Sequence, residues 1–320
     1  MKRLKILTLF GVILTLLFAC SSKEKSEVVI YTSVDQVYSE PIFNSFEKET
    51  GIEVKAVYDV ESQKTTGMAS RLEAEKSKPV ADLFWNGEFT KTIGLTEKGV
   101  LTDYISFGGR ARVLLVNTQK IKPQNYPKRL SDLLDEKYQA NMIAVARPMF
   151  GTTFSQACAL YAELGDERGK TFFEQVKDRG IKIVEGNSVV RDMVVSGEVA
   201  MGLTDTDDAY DAVNKGKPVA MIFLDQEPDG MGTLIIPNTI AKVSGRPDND
   251  NAKAFMDFIT SDEAAVLLYE SGWMDFVDKP ELIANPRFDY SKVKGMNVSL
   301  EEICEQQDVV VEDLTKLFMD

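Results

Sequence analysis

From residue 27 the chain alternates between short β-branched runs and segments whose apolar residues recur at helical spacing. EVVIYTS, from Glu27, reads as a strand. SEPIFNSFEKETG follows, with Ile42, Phe43 and Phe46 on one face and Gly51 as the stop of a helix. IEVKAVY (52–58) is a second strand and GMASRLEAEKSKP (67–79) a second helix, ended before Pro79. ADLFWNG (81–87) and FTKTIGLTEKG (89–99) repeat the pair. This alternation predicts a mainly parallel sheet covered on both faces, with ligand contacts at the carboxyl ends of strands, here 32–36, 58–63 and 85–88.

ARVLLVNT (111–118) is a long apolar strand leading out of this unit. A second alternating unit then runs through MIAVARP, a helix from GTTFSQACALYAEL, IKIVEG, SVVRDMVVSG, VAMGLTD and VAMIFLD. GTLIIPNTIA (232–241) is the second long apolar strand, and NAKAFMDFITSDEAAVLLYESG follows it. The order predicts an α/β chain of two lobes joined by two long strands. Residues 27–112 and 236–275 form the first lobe and 113–235 the second, with a helical segment, 276–320, packed on both.

The N-terminus has a different pattern. Lys2, Arg3 and Lys5 precede an apolar run at 6–18, which is short for a membrane span. It ends in LFAC and the polar SSKEKSE, and so resembles a bacterial lipoprotein signal: residues 1–19 removed, Cys20 acylated, 20–26 a linker. Such a chain is exported and held to the membrane by its lipid. Cys158 and Cys304, the other cysteines, read as buried free thiols.

Composition narrows the chemistry. The 320 residues include 37 basic and 50 acidic side chains, a net charge of −13, with no histidine. An acidic surface without a basic stripe argues against nucleic acid as partner. Histidine-dependent triads, His-ligated zinc and His proton shuttles are excluded. No compact motif for catalysis by carboxylate, Lys, Tyr or Cys occurs, so a binding role is expected and an enzyme is not.

Charge concentrates in GLTDTDDAYDAV (202–213). An EF-hand loop starting at Asp205 needs Gly and Glu where the chain has Tyr210 and Gly216, so that motif is absent. Asp205 and Asp207, nearest the strand end, are candidate ligand contacts. Asp208 and Asp211 read as the cap and solvated face of a helix. Elsewhere, Gly151, Thr152 and Thr153 open an apolar helix; SVDQ supplies Ser33, Asp35 and Gln36; GNSVVR supplies Asn187, Ser188 and Arg191. Each suits a helix cap, and together they suit an oxyanion pocket. Arg110 and Arg112 add positive charge or pair with acids at the hinge.

The order of VVIYTSVDQVYSEPIFNSFEKETGIEV, ADLFWNGE, FGGRARVLLVNT, NSVVRDMVVSGEVAMGLTD and GTLIIPNTIA resembles bacterial solute-binding proteins of ATP-driven importers. More narrowly, it resembles the ferric-binding class and its sugar-phosphate- and phosphonate-binding relatives. The resemblance implies the two-lobed periplasmic-binding-protein fold, type II-like, with a two-strand hinge and an interlobe site. It also implies a permease and ATPase as partners, and a monomer. Ferric members use adjacent tyrosines at the positions where this chain has TDTDD, and their glutamate falls one residue from Glu88.

Three readings follow. In the first, Ser33, Asp35, Gln36, Asn86, Glu88, Gly151, Thr152, Thr153, Asn187, Ser188, Arg191, Asp205 and Asp207 enclose a small organophosphate, phosphonate or sugar phosphate, without a cofactor. In the second, Asp205, Asp207, Glu88 or Asp35, and Tyr210 hold ferric iron as transported ligand, with a bound anion. The third is a surface lipoprotein or receptor partner outside transport.

Overall fold

The computed structural model describes residues 26–58 and 65–319. The signal, Cys20, the linker up to Ser26 and most of the loop 58–63 lie outside the described residues. Nine strands are described: β1 (Glu27–Thr32), β2 (Glu53–Tyr58), β3 (Leu83–Asn86), β4 (Leu101–Asn117), β5 (Ile143–Ala146), β6 (Lys182–Val184), β7 (Met201–Asp205), β8 (Val219–Ile222) and β9 (Ile235–Val243). They join in the order β2-β1-β3-β9-β4-β7-β5-β6, and β8 also pairs with β4.

The outer pairs β1/β2, β1/β3, β5/β6 and β5/β7 are parallel. The long strands bring antiparallel pairing to the middle, at β3/β9, β9/β4 and β4/β7. β4 therefore belongs to both halves of the sheet. Leu101–Ala111 pair with β9, and Arg112–Val116 pair with β7. The apolar run at 111–118 covers only its second half. The first half has several exposed positions and a Gly108-Gly109 step, so its sequence does not read as a buried strand.

That step is a bulge. The register slips between Phe107, opposite Asn238, and Arg110, opposite Ile236, across from Pro237, which has no N–H to offer the ladder. Gly109 has φ 154°, and a Cβ there would lie 2.4 Å from the Ile236 carbonyl oxygen, so the close approach of β4 and β9 requires glycine. The bulge fixes how Arg110 leaves the strand.

The helices are α1 (Gln36–Thr50), α2 (Thr66–Ala74), α3 (Thr90–Glu97), α4 (Gly151–Leu164), α5 (Asp166–Asp178), α6 (Asn187–Ser196), α7 (Thr206–Asn214), α8 (Asp250–Ile259), α9 (Asp262–Ser271), α10 (Leu300–Glu305) and α11 (Gln307–Phe318). α1 buries Ser39, Ile42, Phe43 and Phe46, the stripe legible in sequence, and ends at Gly51 in the left-handed region (φ 71°) with its N–H on Glu47. Phe43 meets Trp85 edge-on at 5.7 Å, and Phe46 meets Phe255 at 5.0 Å, tying α1 to β3 and α8. The C-terminal segment touches both halves. Gln307 Nε2 donates to the Thr90 carbonyl of α3 (3.1 Å), and Lys170 of α5 pairs with Asp313 of α11 (2.9 Å). Cys158 and Cys304 are buried free thiols in the same apolar cluster, as expected, and burial pushes both above the usual thiol range.

Candidate functional site

The helices α1, α4, α6 and α7 direct their N-termini at one cleft of about 290 Å³, at the small end of the roughly 300–1,000 Å³ usual for ligand pockets. Their first turns differ in charge. α7 carries Asp207 and Asp208, and α1 is preceded by Asp35. α4 and α6 have no acidic residue in their first turns and no side chain capping them. Gly151, Thr152 and Thr153 of α4 and Gly186, Asn187 and Ser188 at α6 line the cleft, with Arg147 and Arg191 beside them. Their backbone N–H groups and dipoles favour an anion.

Behind this wall sits Asp205, opposite Arg112 across the β4/β7 ladder. Its carboxylate accepts from Arg112 Nη1 (2.6 Å), Thr152 Oγ1 (2.6 Å), Asn187 Nδ2 (3.1 Å) and Arg110 Nε (3.3 Å). Arg112 Nη1 also donates to Asn187 Oδ1 (3.0 Å), and Asn187 Nδ2 to Thr152 Oγ1 (2.9 Å). Desolvation alone would raise the pKa of Asp205. Arg112 and Arg110, with the hydrogen bonds from Thr152 and Arg112, outweigh it and hold the carboxyl below its usual value. Asp205 lines the cleft, yet its oxygens are already engaged. It orients the Thr152 and Asn187 side chains at the two bare helix starts.

Asp207 is placed differently. Among the described residues its nearest cation is Arg110 Nε at 3.6 Å, beyond hydrogen-bond range, and its buried Oδ1 has no hydrogen-bond partner. Desolvation pushes its pKa well above the usual carboxylate value. Arg110 opposes that shift, while Asp208, Asp205 and Asp275 add to it.

The remaining sequence candidates separate. Ser33, Asp35, Glu88, Ser188 and Arg191 line the cleft; Gln36 and Asn86 do not. Gln36 is exposed in the first turn of α1 and donates to Glu40 one turn on. Asn86 is buried behind the wall, accepting from Ser33 Oγ (2.6 Å) and donating to Glu88 Oε1 (2.9 Å) and Thr92 Oγ1 (3.1 Å). Glu88 reaches the cleft edge, but its carboxylate caps α3 through Thr90 N (2.6 Å) and Lys91 N (3.1 Å) and accepts from Ser155 Oγ of α4 (3.1 Å). Arg191 pairs with Asp192 and Asp208 (2.9 Å each).

Of the proposed iron set, Asp35, Glu88, Asp205 and Asp207 line the cleft and Tyr210 does not. Glu88 is committed to α3, Asp205 to two arginines, and Tyr210 has the Arg287 guanidinium 4.1 Å from its ring centre. Among the described residues, no three Asp, Glu or Cys side chains are placed to hold a metal ion. Sequence reasoning missed Tyr38, Thr65, Arg147, Phe150 and Trp273, which line the cleft from four separate segments. Only Arg147, in the strand end MIAVARP, carried a local signal.

The comparisons with known proteins agree with this architecture. A family model described as bacterial extracellular solute-binding protein matches residues 27–274. The chain is 24% identical over 265 residues to the major ferric iron-binding protein of Neisseria meningitidis, covering 74% of this chain and 77% of that protein. It is 22% identical over 281 residues to iron uptake protein A1 of Synechocystis, covering 78% and 75%. Iron-bound HitA from Pseudomonas aeruginosa superposes with a TM-score of 0.79 at 20% identity, over 90% of this chain and 99% of that one. AfuA from Actinobacillus pleuropneumoniae, bound to exogenous fructose-6-phosphate, gives 0.79 at 19% identity, over 92% and 98%. These likenesses show the two-lobed fold, and the family match, across most of the chain, shows that it belongs to the bacterial extracellular solute-binding proteins.

Proposed function

We propose that the cleft captures a small organic solute bearing an oxyanion, a phosphate ester or phosphonate, and delivers it to the permease of an ATP-driven importer. The observation behind this reading is the pair of uncapped first turns without an acidic residue, at α4 and α6, with Thr152 and Asn187 oriented by Asp205. Two converging dipoles with free N–H groups suit a tetrahedral anion better than a cation. The lipid anchor at Cys20 belongs to the same proposal. Mass spectrometry of the mature protein is expected to find an acylated N-terminal Cys20.

Ferric iron is the second reading, and the names of the relatives favour it over the first. Within the cleft its support is Tyr38, beside Asp207, Asp208 and Asp35. Burial and these carboxylates push the Tyr38 phenol up, and a bound trivalent cation would reverse that effect. A thermal-shift screen separates the two. Sugar phosphates, alkyl phosphates and phosphonates are expected to raise the unfolding midpoint of purified protein, because they bind the folded state. Uptake of Fe(III) with a visible phenolate-to-iron absorption band, and no response to any phosphate compound, would overturn the organic reading.

A further inference from the structure

Among the described residues, three side chains that line the cleft carry a buried polar atom without a hydrogen bond: Arg110 Nη1, Asp207 Oδ1 and Arg147 Nε. The first two belong to neighbours, since Arg110 Nε lies 3.6 Å from Asp207 Oδ1. Buried donors and acceptors are nearly always paired, so two orphans side by side in a binding cleft point to a ligand group.

The surroundings hold Arg110 in this position. Its Nε reaches Asp205 Oδ2, and its guanidinium lies 4.1 Å from the ring centre of Trp273. Gly87 leaves room for Nη1, because a Cβ there would lie 3.3 Å from that nitrogen and 2.7 Å from Trp273. Trp273 is itself fixed by donating Nε1–H to Asn238 Oδ1 at 2.7 Å.

We infer that Arg110 and Asp207 read a hydroxyl group of the solute, which donates to Asp207 Oδ1 and accepts from Arg110 Nη1. A hydroxyl does both with one oxygen. A second oxyanion would face the Asp207 carboxylate, an ammonium would face the Arg110 guanidinium, and an alkyl group would leave both atoms unpaired. Arg110 thereby becomes a specificity-determining residue as well as a partner of Asp205. Resting on the oxyanion reading, this narrows the solute to a hydroxylated phosphate ester, such as a sugar or polyol phosphate, as against a simple alkyl phosphate or phosphonate.

The test compares matched compounds by calorimetry and thermal shift: triose, pentose and hexose phosphates against alkyl phosphates of the same carbon number. The best hydroxylated ester is expected to bind about 10–100-fold more tightly than its alkyl counterpart. Asp207→Asn and Arg110→Lys, checked for folding by their unfolding midpoints, are expected to lose most of that preference. Equal binding of both classes by the wild type overturns the hydroxyl inference and leaves the oxyanion reading standing. So does a preference unchanged in Asp207→Asn. If no phosphate compound binds, the oxyanion reading fails and this inference fails with it.

Discussion

Asp205 and Asp207 are both buried, two residues apart at the same strand-to-helix junction, yet their surroundings are opposite. The Asp205 carboxylate meets two arginines, a threonine and an asparagine. That of Asp207 has one distant arginine and three acidic neighbours. The strand pairing explains the difference. Asp205 is the last residue of β7 and sits opposite Arg112 in the ladder, whereas Asp207 lies in the first turn of α7, past the end of that pairing. One carboxylate therefore builds the wall of the site, and the other is presented to whatever enters the cleft.

The strongest way to break this comparison is to remove Asp205. Asp205→Ala leaves Arg112, whose side chain is only 1% exposed, without its counter-charge. Stripping one partner from a buried ion pair is expected to cost about 3–5 kcal/mol. Urea denaturation measures it, and a wild-type midpoint would show that Asp205 is not the hub described. Asp207→Asn, which has no hydrogen bond at Oδ1 to lose, is expected to fold and to be at least as stable as wild type.

The next effect falls on the ligand. Gly186 is the N-cap residue of α6, in extended backbone that any residue adopts. Gly186→Asp places a carboxylate where the oxyanion is proposed to sit, competing for the free N–H groups. Affinity for phosphate esters is expected to fall by about tenfold or more, on the order of 1.4 kcal/mol, with the fold intact. Unchanged affinity would move the oxyanion away from α6.

A third measurement separates the two aspartates by pH. The folded-state pKa of Asp207 is raised, so its contribution to stability is complete below the unfolded value and is lost as pH rises through the folded one. Asp205 is lowered, so its contribution is present above the unfolded value and is lost as pH falls through the folded one. From about pH 4 upward, Asp207→Asn is thus expected to gain stability relative to wild type. The deficit of Asp205→Asn shrinks as the medium is acidified below that value. Thermal midpoints of the three proteins across the acid range check both slopes, and parallel slopes would erase the distinction.

What the sequence disclosed follows from this contrast. The strand-helix alternation, the stripe of α1 and the helix starts at Gly151 and Asn187 are local patterns with a fixed period or a recognisable cap, and they were legible. The saturation of Asp205 was not, because it depends on Arg112 arriving from β4, 93 positions earlier. The bulge at Gly108-Gly109 that aims Arg110 is set by pairing with β9, not by its own segment. Tyr38 and Trp273, 5.2 Å apart between ring centres at the cleft edge, come from opposite ends of the chain and share no motif. Gln36 illustrates the converse. It sits in the right loop, but the register of α1 turns it toward Glu40 and solvent.

The smallest expected effect concerns the other two aspartates of the cluster, which the sequence grouped together as cap and solvated face. Asp211 pairs with Lys215 at 2.8 Å on a partly exposed face, and Asp211→Asn is expected to change stability by less than about 0.5 kcal/mol and ligand response not at all. Asp208 instead lines the cleft and pairs with Arg191. Asp208→Asn removes one negative charge from the cleft and releases part of Arg191, so phosphate esters are expected to bind about threefold more tightly, a shift within the range of one partly screened charge pair. For a ferric ligand the same substitution removes a hard oxygen donor and weakens binding. The sign of that change, read by titration of Asp208→Asn beside wild type and Asp211→Asn, therefore distinguishes an anion seat from a cation site without presupposing which solute is the natural one.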